Sequence, residues 1–219
     1  MGMAVNAFDH ARDARPVGRT RALRSLTRSL DALVAAEADA SVVALRVGTL
    51  LRRALADPAL LEPRHCEPAD DTYRQHLVHV HPAGGYSIVA LVWKPGQATP
   101  IHDHRCWCVV GVWRGHERET TYALYGDDDD PYLVARGSAV AAPGTVSVLV
   151  PPDEDVHLVE NCGSSLAISV HVYGGDISVL GSSINRRFAE DRVVRHPEAG
   201  ASGPISWRRL DARRRRDAA

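Results

Sequence analysis

The sequence predicts a mainly β domain, an antiparallel barrel or jelly roll, that follows two or three N-terminal α-helices. Three observations support this prediction. Apolar residues recur at three- and four-residue spacing before residue 63, short β-rich runs follow residue 73, and a turn signal separates each run from the next. Short strands at regular spacing are typical of barrels and jelly rolls.

The N-terminal region divides into an arm and a helical part. Residues 1–19 mix small, charged and turn-forming residues, which predicts a flexible arm. Over residues 20–63 leucine and valine repeat with helical periodicity, and Pro58 and Pro63 mark the end of the region. We expect these helices to cover one face of the domain that follows.

The predicted barrel occupies residues 70–177. Beyond it, residues 178–219 lose the strand pattern and are predicted to form a C-terminal extension, whose Arg213–Arg216 run is typical of a solvated basic tail. The predicted strands are 76–80, 86–93, 107–113, 119–125, 132–135, 145–150, 157–161 and 166–173.

Composition argues against several functional classes. Hydrophobic residues are 45% and charged residues 24% of the chain, as in folded soluble domains. The net charge of −1 gives no electrostatic reason to expect a nucleic acid. No apolar run approaches the roughly 18–20 residues of a membrane span, and none fits a signal peptide. We expect a cytoplasmic protein without nucleic-acid or membrane partners, whose four cysteines stay unpaired.

The most informative motif runs from Gly96 to His104, where five residues separate the glycine from a His-x-His pair. Histidines two apart on extended backbone point to the same face, so His102 and His104 can reach one metal ion. A third histidine, His157, precedes Asn161 by four residues and could lie opposite the pair on a neighbouring strand. A His-x-His pair alone is weak evidence, but the combination predicts a metal site.

The two histidine motifs together resemble the signature motifs of the cupin superfamily, whose fold is a double-stranded β-helix. The position of the usual glutamate ligand holds Cys108, which leaves three histidines and no carboxylate. A cysteine there, with three histidines, is the hallmark of cysteine dioxygenase and related thiol dioxygenases. The run from Ser169 to Tyr173 also matches the Ser-x-His-x-Tyr strand of that family.

The resemblance implies an Fe(II)-dependent enzyme that adds both atoms of O2 to the sulfur of a small thiol carboxylate, giving the sulfinate. It implies that His102, His104 and His157 bind the iron. Two alternatives are a zinc-dependent cupin hydrolase and a non-enzymatic cupin that binds a small molecule. No carboxylate general base is evident beside the histidine motifs, and a binding protein would have no use for the Ser-x-His-x-Tyr strand.

The resemblance also assigns roles around the predicted iron. Tyr173, oriented by His171 and then Ser169, would donate a hydrogen bond in the active site. In some family members the cysteine that matches Cys108 forms a thioether cross-link to this tyrosine. The sequence leaves that cross-link open.

Substrate recognition depends on the strand that follows Tyr73. Cysteine-specific members carry Tyr-x-Arg there, whereas this chain has Gln75 at the arginine position and Arg74 on the opposite face. In this respect the chain resembles the glutamine-bearing relatives, best known as 3-mercaptopropionate dioxygenases, in which an arginine after the tyrosine strand binds the carboxylate. Arg186 and Arg187 are the candidates. We expect 3-mercaptopropionate as substrate, with L-cysteine as the alternative.

Overall fold

The structure, a computed structural model, describes residues 20–127, 130–152 and 155–194. The predicted arm, 1–19, and the arginine run at 213–216 lie outside the described residues. Within them, two α-helices precede ten β-strands, which confirms the predicted fold class. Over the same residues, no helix is both long enough and apolar enough to cross a membrane.

The N-terminal helices are α1, Arg21–Ala36, and α2, Ala40–Leu55. Thr20 caps α1 and Asp39 caps α2, each with a side-chain oxygen that accepts hydrogen bonds from the first turn. The apolar positions three and four apart form one buried stripe on each helix. The residues that are buried on each helix are therefore mainly the apolar ones whose helical spacing is visible in the sequence.

The strands are short, and several of the turns between them contain a glycine at positive φ, such as Gly84 and Gly115. A short helix, α3, spans Ile177–Leu180. The strands are β1 Arg74–Val80, β2 Ser87–Trp93, β3 Ile101–His104, β4 Cys108–Arg114, β5 Glu117–Tyr125, β6 Tyr132–Ala141, β7 Val146–Leu149, β8 His157–Asn161, β9 Ala167–Tyr173 and β10 Ile184–Phe188.

The strands form two five-stranded antiparallel sheets. The first sheet has the order β1-β2-β9-β4-β7, and the second has the order β10-β3-β8-β5-β6. One face of the first sheet packs against the helices, where α2 contacts β4 and β7. Gly111 on β4 permits this close approach, because a Cβ there would lie 2.6 Å from Leu55 Cδ1. A separate apolar cluster lies between the other face of the first sheet and the second sheet, and it includes Trp93 of β2 and Val159 of β8.

Two strands were not among the eight predicted. β3 is only four residues long and carries two histidines and Asp103, so it lacks an apolar run. β10 lies beyond the predicted barrel end at residue 177, and its Asn185, Arg186 and Arg187 are exposed. β6 also runs past its predicted end at Ala135, because Gly137 pairs with Thr121 inside the ladder and does not form a turn.

Candidate metal centre

A pocket lies between the two sheets and contains most of the predicted site residues. Side chains of β1, β2, β3, β8, β9 and β10 line it, together with the segment before β10. Arg187 is its one cationic arginine or lysine, and no described aspartate or glutamate lines it. The lining is Tyr73, Gln75, Leu91, Trp93, Thr99, His102, His104, His157, Val159, His171, Tyr173, Ser182, Ser183, Ile184 and Arg187.

The three predicted metal ligands converge in this pocket. One ring nitrogen from each of His102, His104 and His157 lies within 4.8 Å of the other two. His102 and His157 are direct partners across β3 and β8, and His104 follows two residues along β3 on the same face. All three are buried. The arrangement is a compact set of three nitrogen donors.

Acceptors behind the ligand rings fix two of these imidazoles. His102 Nδ1 donates to the Pro100 carbonyl oxygen at 2.9 Å, and His157 Nδ1 donates to Glu119 Oε1 at 2.7 Å. Both bonds leave Nε2 for a metal ion, which is the usual arrangement of histidine ligands in proteins. These residues therefore fit a bound metal.

Asp155 supports the third imidazole, although less directly. Its Oδ2 accepts the backbone N–H of His104 at 2.8 Å and lies 3.6 Å from His104 Nδ1. That ring nitrogen has no hydrogen-bond partner among the described residues. Asp155 therefore holds the backbone of the third ligand and places a negative charge beside its ring.

The protonation of the site favours metal binding. Burial, followed by the neighbouring histidines, holds the pKa of His102 well below its usual value. Burial also lowers the pKa of His157, although the hydrogen bond that His157 donates to Glu119 acts to raise it. Burial acts to raise the pKa of Glu119, but its hydrogen bonds with His157 and Ser147 outweigh that effect and lower it. Neutral imidazoles are the form that ligates a metal.

Three side chains of β9 form a buried chain of hydrogen bonds, which we call the hydroxyl relay: Ser169, His171 and Tyr173. Ser169 Oγ lies 3.0 Å from His171 Nε2, and His171 Nδ1 lies 3.1 Å from the Tyr173 hydroxyl. Strand alternation explains why all three face the barrel interior. Only His171 and Tyr173 line the pocket; Ser169 lies behind them.

The Tyr173 hydroxyl has further neighbours. Ser183, in the segment before β10, hydrogen-bonds it, and the Cys108 thiol contacts it as well. Cys108 and Tyr173 are cross-strand partners of β4 and β9, and Cys108 Sγ lies 3.9 Å from His171 Nδ1. The two predicted cross-link partners are therefore adjacent.

The structure separates the two candidate arginines. Arg187 lines the pocket. Arg186 faces away, where its Nε donates to Asp103 Oδ2 at 2.7 Å and its backbone N–H donates to Asp103 Oδ1 at 2.6 Å. The prediction that Arg186 binds substrate is therefore not supported, because consecutive strand residues face opposite sides. Tyr73 and Gln75, the other predicted substrate-binding residues, both line the pocket, and Tyr73 stacks on Trp93.

Several residues of the site were missed from the sequence. Glu119 and Asp155 are carboxylates beside the ligand histidines, although neither lines the pocket. Asp155 precedes His157 by two residues, a spacing that could have drawn attention to it. Ser183 belongs to the region that was predicted to be an extension. Glu119 comes from a different strand, so no local signal identifies it.

Comparison with known proteins agrees with this architecture. A family model described as cysteine dioxygenase type I matches residues 21–181, which include both N-terminal helices and β1 to β9.

The solved structures that the chain matches include an uncharacterized conserved protein with a double-stranded β-helix domain from Klebsiella pneumoniae. It is 18% identical over 52% of this chain and 87% of that chain, with a TM-score of 0.39. A cupin superfamily protein from Desulfitobacterium hafniense is 12% identical over 50% of this chain and 84% of that chain, with a TM-score of 0.37. Oxalate oxidase in complex with glycolate is 25% identical over 42% of this chain and 43% of that chain, with a TM-score of 0.33. This chain thus spans less than half of that enzyme.

Proposed function

Because the chain belongs to the cysteine dioxygenase type I family, we propose that it is an Fe(II)-dependent thiol dioxygenase that converts a small thiol carboxylate to its sulfinate. The observation that carries the proposal is the convergence of three buried imidazoles without a carboxylate in the same pocket. Such a donor set is neutral, so a bound divalent cation keeps its full charge and attracts an anionic thiolate.

The three histidines would hold the iron through their unengaged ring nitrogens. When bound, the iron would supply the redox chemistry that joins O2 to sulfur. Pro100 and Glu119 keep the His102 and His157 rings oriented, since each accepts the Nδ1 hydrogen. The protein would then contribute a preorganised pocket in which both reactants are adjacent.

Substrate binding would rest on Arg187, Gln75 and Tyr73. Arg187 is the one cationic arginine or lysine among the lining residues and would attract the substrate carboxylate. Gln75 and Tyr73 lie two residues apart and offer neutral hydrogen bonds from the opposite sheet. With a neutral glutamine in place of an arginine, we propose 3-mercaptopropionate as the preferred substrate and L-cysteine as the second one.

Tyr173 would donate a hydrogen bond to the reacting groups. The relay holds this hydroxyl in place: it lies 3.1 Å from His171 Nδ1, and His171 Nε2 lies 3.0 Å from Ser169 Oγ. Its contact with Cys108 also allows the thioether of some family members to form. Intact mass spectrometry tests this, because the cross-link removes two hydrogen atoms.

We also propose that the protein works in a reducing compartment such as the cytoplasm. All four cysteines are free thiols, which supports this assignment.

Metal analysis combined with an oxygen electrode tests the proposed function. We expect the purified protein to carry iron and to consume O2 with 3-mercaptopropionate or cysteine, and with no thiol that lacks a carboxylate. A protein that carries zinc and consumes no O2 with 3-mercaptopropionate, cysteine or any other thiol tested would overturn the proposal. It would also favour the hydrolase or binding alternatives.

A further inference from the structure

Glu117 on β5 is a buried carboxyl group that the proposed reaction does not use. Glu117 is 2% exposed, and its carboxyl group forms a hydrogen bond with the Ser169 hydroxyl on β9. It also lines a small second cavity inside the barrel, together with Glu119 and side chains of β4 and β8. Because Ser169 begins the hydroxyl relay, Glu117 lies at the end of the relay opposite Tyr173.

The surroundings of Glu117 favour its neutral form. Its Oε1 has no hydrogen-bond partner among the described residues, and no described cation pairs with it. A buried carboxylate without a cation is costly. Burial is the largest influence on the pKa of Glu117 and raises it, and the charge on Glu119 acts in the same direction. The Ser169 hydrogen bond opposes both, and the resulting pKa is about 8.

Few titratable groups face Glu117 from the strands around it. Glu119 lies on β5, as Glu117 does, and His171 is separated from Glu117 by Ser169, which it contacts on β9. The partner on β8 is Asn161, whose amide hydrogens already go to the Trp93 and Ser165 carbonyl oxygens. The side chains that β4 and β6 place beside it are apolar. Among the described residues, Ser169 is the one whose hydrogen bond with the Glu117 carboxyl group the structure shows.

A neutral Glu117 can donate a hydrogen bond to Ser169, which allows a direction of hydrogen bonding along the relay that an ionised Glu117 excludes. Ser169 Oγ already accepts a hydrogen bond from Trp93 Nε1 at 3.2 Å, so one lone pair and one hydrogen remain. If Glu117 donates to that lone pair, the Ser169 hydrogen goes to His171 Nε2. His171 then carries its own hydrogen on Nδ1 and donates it to the Tyr173 oxygen. Ser183, which lines the same pocket, can donate to the Tyr173 oxygen as well, so Tyr173 keeps its own hydrogen for the pocket.

An ionised Glu117 would reverse every bond in the chain. It would accept the Ser169 hydrogen, so Ser169 would have to accept from His171 Nε2. His171 Nδ1 would then accept the Tyr173 hydrogen. In that state the tyrosine could only accept a hydrogen bond from a molecule in the pocket.

We propose that Glu117 is a positioning residue which, as a neutral acid, sets the direction of the hydroxyl relay so that Tyr173 donates into the pocket. The use of the donated hydrogen rests on the proposed function, whereas the direction of the relay is a property of the protein itself. Two measurements therefore test the two parts separately.

Nitrogen-15 NMR of the His171 imidazole tests the direction. The full-length protein is loaded with zinc, which does not broaden the signals, and a His171→Gln variant assigns the resonance. Below the Glu117 pKa of about 8 we expect the Nδ1–H tautomer, and above it the Nε2–H tautomer. Glu117→Gln cannot ionise and keeps an amide N–H that donates to Ser169 at any pH, so it should show Nδ1–H at both pH values. A wild-type Nε2–H tautomer at the lower pH would overturn the proposal, even if the variant failed to fold.

The pH profile of kcat/KM tests the consequence for turnover. Glu117 is neutral below its pKa and ionised above it, so wild-type kcat/KM should fall above about pH 8 towards the level of Tyr173→Phe. In Glu117→Gln this decline should be absent. Glu160→Gln, which alters an exposed ion pair with Arg118 on the same sheet, should follow the wild type.

An identical alkaline decline in wild type and Glu117→Gln would show that Glu117 does not set the relay. A protein that oxidises no thiol would contradict the proposed function, and the NMR measurement would still decide the direction of the relay.

Discussion

The two sheets that enclose the pocket contribute different chemistry to it. The second sheet, through β3, β8 and β10, carries the three histidines and Arg187. The first sheet, through β1 and β9, carries Gln75 and the hydroxyl relay. Positive charge and nitrogen donors thus lie on one wall of the pocket, and neutral hydrogen-bonding groups lie on the other.

The two walls also differ in how their side chains are held. On the second sheet, His102 and His157 each have their own acceptor, Pro100 and Glu119. On the first sheet, the relay side chains hold one another in a single chain. We therefore expect changes on the second sheet to weaken metal binding one ligand at a time. Changes on the first sheet should leave the metal in place and slow turnover.

The largest effect should come from removing a ligand on the second sheet. In His157→Ala, we expect iron to be lost and kcat/KM to fall by more than about 100-fold. Mutating a residue that only hydrogen-bonds a metal ligand lowers activity by roughly 10- to 100-fold, and removing the ligand itself should lower it further. His102→Ala and His104→Ala should behave alike. Metal analysis of each purified variant checks this, with His116→Ala at an exposed turn as the control. Full iron occupancy in His157→Ala would remove that residue from the ligand set.

The matching change on the first sheet is Tyr173→Phe, which deletes only the hydroxyl group. We expect full iron content but a loss of kcat/KM of roughly 10- to 1000-fold, because one hydrogen bond to the reacting groups is missing. Tyr125→Phe, in a surface aromatic pair with Tyr132, is the control. An unchanged rate would show that the relay is only structural.

The sequence predicts the local parts of this site well. His102 and His104, and likewise Ser169, His171 and Tyr173, lie two residues apart, so the strand period alone sets their common face. The sequence could not show which of Arg186 and Arg187 faces the pocket. That depends on the register of β10 against β3, and β10 has no apolar pattern from which the register could be predicted.

The supporting carboxyl groups were beyond sequence reasoning for another reason. Glu119 contacts His157 because β5 pairs with β8, which brings residues 38 positions apart into one hydrogen bond. Glu117 reaches Ser169 across the barrel interior. A Glu-x-Glu pair on a strand looks like an ordinary polar face until the pairing is known.

Glu119→Gln changes the hydrogen-bond acceptor of a ligand histidine without removing the ligand. A neutral amide is a weaker acceptor for His157 Nδ1–H, so iron affinity should fall by roughly 10- to 100-fold. Competition with a chelator of known affinity measures this. The Ser147 contact to the same side chain should help the variant to fold. Wild-type affinity in Glu119→Gln would contradict the role given to the bond.

Gln75→Arg tests the neutral wall of the pocket. A charged fork at this position should draw the substrate carboxylate across the pocket and shift the ratio of kcat/KM values towards cysteine by about tenfold. The wild type should prefer 3-mercaptopropionate. Steady-state rates with both thiols check this, and a wild type that strongly prefers cysteine would contradict the role of Gln75.

Asp103→Asn should have the smallest effect. The variant loses the ion pair that anchors Arg186, and with it part of the hold on β10, which carries Arg187. Because Arg186 is partly exposed, the pair is worth at most about 1 kcal/mol, which corresponds to a rise in KM of roughly fivefold or less. Asp130→Asn, which breaks an exposed ion pair with Arg192, is the matched control. Equal KM values in the two variants would show that the Asp103–Arg186 ion pair does not contribute to substrate binding.

In the proposed reaction, this pocket inserts both atoms of one O2 molecule into a thiol sulfur. The most direct test is turnover of 3-mercaptopropionate by the iron-loaded protein under oxygen-18 gas, followed by mass spectrometry of the product. We expect a sulfinate that carries two oxygen-18 atoms. A product with one or no labelled oxygen, or oxygen uptake that yields only disulfide, would contradict the proposed reaction.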